Sequence, residues 1–120
     1  MDKRNEMDIS SLTSVERKAV GEFKKRILAQ FPDSKLILFG SKARGDYHVH
    51  SDIDLLIVSP YTKNAENRSK IGDIAFEVNY KFGTGISCIM QEEEGWEDLK
   101  HVNAPFLVNV RSEGVILEVF

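Results

Sequence analysis

The chain has 120 residues, of which 42% are hydrophobic and 29% charged, and its formal net charge is -3. This composition excludes a disordered chain and argues against broad electrostatic binding to nucleic acid, so a nucleic-acid partner is not expected. A single cysteine, Cys88, excludes an intrachain disulfide and favours a cytoplasmic protein. Residues 1–11 are polar and no apolar run approaches the roughly 20 residues that span a bilayer, so no membrane partner is expected.

Apolar residues recur at helical or strand spacing along the chain, and turn residues separate these segments. The first predicted helix begins with a capping box at Thr13 and Glu16 and ends before Pro32, and Gly83 is the predicted C-cap of a later helix. The other predicted elements are strands at 35–39, 53–58, 86–90 and 115–120, a turn-rich segment at 40–51, and helices at 71–82, around Trp96 and Leu99, and from Pro105 to Gly114. The order α-β-β-α-β-α-α-β predicts an α+β fold in one domain, 1–120, with helices packed on a small mixed β-sheet.

The segment from Gly40 to Arg44 has the composition of an anion-binding turn. Glycine lets the backbone approach a phosphate closely, Ser41 adds a hydroxyl, and the amide N–H groups of the turn can point at an anion. Lys42 and Arg44 add positive charge, and the Arg44 guanidinium can bind two phosphate oxygens at once. We therefore predict phosphate binding by Gly40, Ser41, Lys42 and Arg44.

Asp52 and Asp54 stand at the start of the second predicted strand. Residues two apart in a strand share a face, so the carboxylates are expected roughly 6–7 Å apart. At an effective dielectric constant near 20 their repulsion is about 2.5 kcal/mol, which a divalent cation would remove. Hard oxygen ligands suit Mg²⁺. A phosphate-binding turn and a metal site on adjacent strands are what phosphoryl or nucleotidyl transfer requires.

Gly40-Ser41, followed after ten residues by Asp52-x-Asp54, resembles the signature of the polymerase-beta-like nucleotidyltransferase superfamily. The string FGSKARGDYHVHSDIDLLIV resembles its minimal nucleotidyltransferase branch, and PFLVNVRSEGVILEV more loosely resembles the tail of many such proteins. The resemblance implies that Gly40 and Ser41 hold nucleotide phosphates, and that Asp52 and Asp54 ligate Mg²⁺ and serve catalysis. It implies transfer of a nucleoside monophosphate, AMP from ATP, to a hydroxyl acceptor. Some members are antitoxins of helical HEPN toxins, so the resemblance implies a HEPN-type partner. A domain this small has little room for a separate acceptor-binding lobe, so a homo-oligomer is a further expectation.

The sequence departs from the family at a third acidic position. The full family carries an acidic residue on the next strand, often as the base that activates the acceptor, but strand 86–90 contains no aspartate or glutamate. Ser87 is the predicted equivalent, and Glu77 and Glu92 fit poorly. Three hypotheses therefore remain. The first is an enzyme, the second is a catalytically weak nucleotidyltransferase-like module that acts by binding a protein partner, and the third is a purely structural domain.

Other interpretations of the same segment fit less well. Residues 40–45 have the glycine spacing of a P-loop, but Asp46 and Tyr47 follow where that motif requires Lys and Ser/Thr. In phosphoaspartyl phosphatases the apolar strand precedes the Asp-x-Asp pair, whereas here it follows. His48 and His50 in a polar turn are more often solvated than metal-bound.

Overall fold

The computed structural model describes residues 12–45, 52–99 and 105–117. The first helix, α1 (Ser14–Gln30), begins with the predicted capping box. The Thr13 hydroxyl accepts a hydrogen bond from the Glu16 N–H at 3.1 Å, and Glu16 Oε1 accepts one from the Thr13 N–H at 2.9 Å. These two bonds satisfy amide groups that a helix N-terminus leaves without internal partners. The helix ends at Phe31, directly before Pro32, as predicted.

The remaining elements follow the predicted order with one addition. They are β1 (Lys35–Phe39), α2 (Ser41–Arg44), β2 (Ile53–Ser59), α3 (Ala65–Phe82), β3 (Ile86–Glu92), α4 (Trp96–Leu99), α5 (Pro105–Glu113) and β4 (Val115–Ile116). The addition is α2, because the segment after β1 was predicted as turns only. Gly83 caps α3 with φ 66° and ψ 38°, as predicted. The last strand is shorter than predicted, and residues 118–120 lie outside the described residues.

The four strands form one mixed sheet in the order β3-β2-β1-β4. β1 is antiparallel to both β2 and β4, whereas β2 and β3 are parallel. The register places Phe39, the last residue of β1, opposite Asp54, and Ser87 of β3 beside Asp54. The end of β1 and the starts of β2 and β3 therefore meet at one end of the sheet. This architecture confirms the predicted α+β fold.

The alternation of side chains along β2 divides the core between the two faces of the sheet. On one face the odd-numbered residues of β2 pack with α1 and α3, and the largest buried residues there include Phe23, Ile27, Leu36, Leu38, Ile71 and Val78. On the other face Leu56 and Val58 pack with Val110 of α5. Asp54 is even-numbered and therefore lies on the α5 side. None of the helices in the described ranges is long and apolar enough to cross a membrane.

Candidate active site

Gly40 joins β1 to α2 in a conformation that other residues rarely adopt. Its φ is 78° and its ψ is -161°, a region occupied almost only by glycine. A Cβ atom at this position would lie 2.3 Å from Oδ2 of Asp54. The pairing of Phe39 with Asp54 in the antiparallel β1–β2 ladder brings the turn against this carboxylate. The structure thus places the Gly40-Ser41 turn and Asp54 side by side.

The single turn of α2 directs its two cationic side chains to different places. Arg44 is partly exposed, and its Nη1 donates a hydrogen bond to Oε1 of Glu113 at 3.0 Å. Lys42 is only 1% exposed, and its Nζ lies 2.9 Å from Oε2 of Glu16 in α1. The Lys42 ammonium group therefore makes an ion pair inside the protein, and its predicted role in phosphate binding stays a prediction. Two residues along a helix are separated by about 200° of rotation, so positions 42 and 44 face opposite sides.

Asp52 and Asp54 lie together at the start of β2. Asp52 is exposed just before the strand, and a Cβ atom on Gly85 would lie 3.3 Å from its Oδ1. Burial raises the pKa of Asp54, and the charge of Asp52 raises it further. The positive charge of Arg44 acts in the opposite direction, so it reduces this rise without reversing it. Two like charges held this close favour a cation between or beside them.

Glu113, the last residue of α5, joins the same group and was not predicted as a site residue. Its side chain is buried, and its Oε1 accepts hydrogen bonds from the Gly40 N–H at 2.9 Å and from Arg44 Nη1 at 3.0 Å. Burial and the charge of Asp52 are the larger causes of the raised pKa of Asp54, and the charge of Glu113 raises that pKa as well. The only signal for it in the sequence is a glutamate within the tail that resembles the family, because no spacing rule links it to Gly40.

The other polar residues considered from sequence fall in three different places. Ser87 pairs with Asp54 in the β2–β3 register and is exposed, which is where the third acidic residue was expected. Glu77 pairs with Arg26 and so joins α3 to α1, away from the α5 side of the sheet. Glu92 pairs in register with Ser59 at the far end of β3, where its Oε2 accepts a hydrogen bond from the Lys63 N–H at 2.8 Å. Neither of these two contacts brings its glutamate to Asp54.

The donor set at the start of β2 suits a hard divalent cation. Two carboxylates supply hard oxygen ligands, and waters and phosphate oxygens commonly complete the shell of such an ion. Within residues 12–45, 52–99 and 105–117, no cluster of three or more His, Cys, Asp or Glu is arranged to hold a metal. We therefore consider Asp52 and Asp54 alone as protein ligands, since the Glu113 carboxylate is bonded to Gly40 and Arg44. His48 and His50 lie outside the described residues.

Known proteins are similar to this chain both in sequence and in fold. The family model described as "Nucleotidyltransferase domain" matches residues 20–105. Two proteins of Methanocaldococcus jannaschii are similar, both named "Putative protein adenylyltransferase". MJ0604 is 36% identical over 104 residues, which is 85% of this chain and 97% of the relative. MJ0141 is 35% identical over 98 residues, which is 80% of this chain and 92% of the relative.

Among solved structures, the fold is similar to that of a chain in the crystal structure of a toxin-antitoxin with AMP-PNP. The TM-score is 0.59 and the identity 19%, over 83% of this chain and 73% of that chain. The match to the family model covers well over half of the sequence and includes the turn at Gly40 and both aspartates. The chain therefore belongs to the nucleotidyltransferase domain family.

Proposed function

We propose that this protein binds ATP with Mg²⁺ at the Gly40–Asp54 site and transfers AMP to a hydroxyl group of an acceptor. The observation that carries the proposal is the packing of the Gly40-Ser41 turn directly against Asp54, which brings the predicted phosphate-binding turn beside a pair of carboxylates. The family and the names of the two archaeal relatives support nucleotidyl transfer to a protein. In this reaction the acceptor oxygen bonds to the α-phosphorus, the α–β bridging bond breaks, and pyrophosphate and the hydroxyl proton are released.

Each residue of the site has a separate task in this proposal. Gly40 lets the turn approach Asp54 closely because it has no side chain, and the Ser41 hydroxyl can donate a hydrogen bond to a phosphate oxygen. The Arg44 guanidinium can bind phosphate oxygens while it remains close to Asp54. Asp52 and Asp54 would hold the magnesium ion. When bound, that ion would neutralise phosphate charge and align the triphosphate.

A second candidate function is a nucleotide-binding module that turns over slowly and acts through a protein partner. The observation that favours it is the exposed Ser87 beside Asp54, where the family has its third acid. A serine hydroxyl is not a base at neutral pH without a neighbour that accepts its proton. The toxin-antitoxin similarity supports a protein partner, and a HEPN-type toxin is the partner that we propose. In that arrangement the partner supplies the acceptor hydroxyl.

The test of nucleotide binding uses the double variant Asp52→Asn/Asp54→Asn. We expect wild-type protein to gain thermal stability with ATP and magnesium, and the variant to lose this gain while remaining folded. Glu66→Gln/Asp73→Asn is the matched control, because it removes two carboxylates from the exposed surface of α3. A double variant that binds ATP–Mg²⁺ as well as wild type would show that the site is elsewhere.

The test of turnover uses α-labelled ATP and a co-expressed HEPN-type toxin as acceptor. Transfer by the wild-type protein, lost in Asp52→Asn/Asp54→Asn, supports the enzyme. Nucleotide binding without transfer supports the module. Ser87→Asp then restores an acid beside Asp54, and we expect it to strengthen binding of a second metal ion and to raise the transfer rate.

A further inference from the structure

The Glu113 carboxylate connects the end of α5 to Gly40 and Arg44, the first and last residues of the proposed phosphate-binding turn. A single oxygen, Oε1, accepts the Gly40 N–H at 2.9 Å and Arg44 Nη1 at 3.0 Å. These partners are 73 and 69 residues away in sequence, so the contact depends on the packing of α5 against the sheet. Glu113 is therefore the point at which the C-terminal part of the described chain reaches the turn.

The contact between Glu113 and Arg44 is poorly explained by stabilisation of the fold alone, because the two side chains differ in exposure. The Glu113 side chain is 6% exposed, whereas that of Arg44 is 40% exposed. A buried carboxylate loses its hydration, and an apolar side chain of similar size is commonly as stable in such a place. Glu113 also adds a negative charge close to Asp54, on which the charge of Asp52 already acts unfavourably. Its contribution is better explained by the geometry that it imposes on its two partners.

That geometry concerns the groups that meet the nucleotide. The Gly40 N–H belongs to the Phe39–Gly40 peptide, so its bond to Glu113 fixes the end of β1 from which the Gly40-Ser41 turn begins. The bond to Arg44 restricts a long side chain whose ordering costs conformational entropy. One carboxylate thus holds both the Gly40 N–H and the Arg44 guanidinium before any ligand binds.

We propose that Glu113 is a positioning residue that sets the Gly40 peptide and the Arg44 guanidinium in place for the nucleotide phosphates. The proposal rests on the proposed function for the identity of the ligand. Preorganisation of this kind raises affinity, because the cost of ordering the binding groups is met during folding. Loss of the carboxylate should therefore weaken nucleotide binding through Arg44, and it should free the Gly40 amide even when no nucleotide is present.

The experiment compares Glu113→Ala, Glu113→Gln and the control Glu77→Ala, which removes an exposed carboxylate that is also paired with an arginine. ATP–Mg²⁺ affinity is measured by calorimetry, and exchange of the Gly40 amide proton is measured by NMR without nucleotide. We expect Glu113→Ala to weaken binding about tenfold to a hundredfold, the range for loss of a charge-assisted hydrogen bond. Glu113→Gln keeps an acceptor oxygen for Gly40, so it should keep Gly40 protection and lose less affinity than Glu113→Ala.

A double-mutant cycle with Arg44→Ala separates positioning from general stability. If Glu113 acts through Arg44, Glu113→Ala should weaken binding much less in the Arg44→Ala background than in wild type. Additive effects, or an unchanged exchange rate of the Gly40 amide in Glu113→Ala, would overturn the proposal. Absence of ATP–Mg²⁺ binding by the wild-type protein would instead refute the proposed function, and the Gly40 exchange rates would still decide whether Glu113 positions the turn.

Discussion

Replacement of Gly40 by alanine tests the contact between the turn and Asp54 directly. The backbone at Gly40 has φ 78° and ψ -161°, and a side chain in this region costs about 1–3 kcal/mol. The added Cβ would also lie 2.3 Å from Oδ2 of Asp54, 3.2 Å from its Cγ and 3.3 Å from its Cβ. Since the whole Asp54 side chain is close, rotation of the carboxylate alone cannot relieve the contact. We expect Asp54 to be displaced.

The matched control is Gly83→Ala, at the C-cap of α3. Gly83 also has a positive φ, 66°, but a Cβ atom added there would meet no neighbouring atom of the described residues within 4 Å. Its cost is therefore the left-handed conformation alone, about 1–2 kcal/mol. Gly40→Ala should exceed this cost in urea unfolding. It should also weaken ATP–Mg²⁺ binding at least about tenfold, or about 1.4 kcal/mol, measured by calorimetry, while Gly83→Ala binds as wild type does.

The two variants together can refute this reasoning. If Gly40→Ala destabilises the protein no more than Gly83→Ala and binds ATP–Mg²⁺ as tightly, the turn does not control the position of Asp54. If both variants lose nucleotide binding equally, the loss reflects general destabilisation. In either case the contact between Gly40 and Asp54 would not explain why position 40 requires a glycine.

Three further predictions concern residues at or near the site. Lys42→Met should cost about 3–5 kcal/mol in urea unfolding, because it leaves the mostly buried Glu16 without its partner; loss of nucleotide binding at unchanged stability would show that Lys42 contacts the ligand. Asp54→Asn should raise Tm at pH 7 without metal, because the raised pKa of Asp54 means that folding becomes less favourable as this carboxyl ionises with rising pH; a lower Tm would contradict this. Burial raises the pKa of Cys88 to about 11, so at pH 8 iodoacetamide should alkylate it about a hundredfold more slowly in the native protein than in urea; equal rates would show an accessible thiolate.

Local sequence signals predicted much of the fold because they act over a few residues. The capping box at Thr13 and Glu16 defined the start of α1, and Gly83 defined the end of α3. Asp52 and Asp54 were predictable as a pair because two-residue spacing in a strand fixes a common face. The proximity of Asp54 to Gly40 also followed from the prediction that the phosphate-binding turn and the aspartate pair lie on adjacent strands.

The remaining features depend on packing between distant segments. Glu113 reaches Gly40 only because α5 covers the same face of the sheet as Asp54, and nothing in the local sequence states which face that is. Lys42 was placed at the phosphate site because positive charge beside a glycine turn suggests an anion. Its actual direction depends on α2 being helical, and a four-residue helix has too few residues to show a period.

The ion pair between Lys42 and Glu16 couples the stability of α2 to that of the N-terminal end of α1, which lies far earlier in the sequence. Glu16 uses Oε1 for the Thr13 N–H and Oε2 for Lys42, so one side chain both caps α1 and holds α2. Fraying of the first turn of α1 would withdraw Glu16 and leave a buried ammonium group without this counter-ion. The two segments should therefore open as one cooperative unit, and their slowest-exchanging amides should share a single opening free energy.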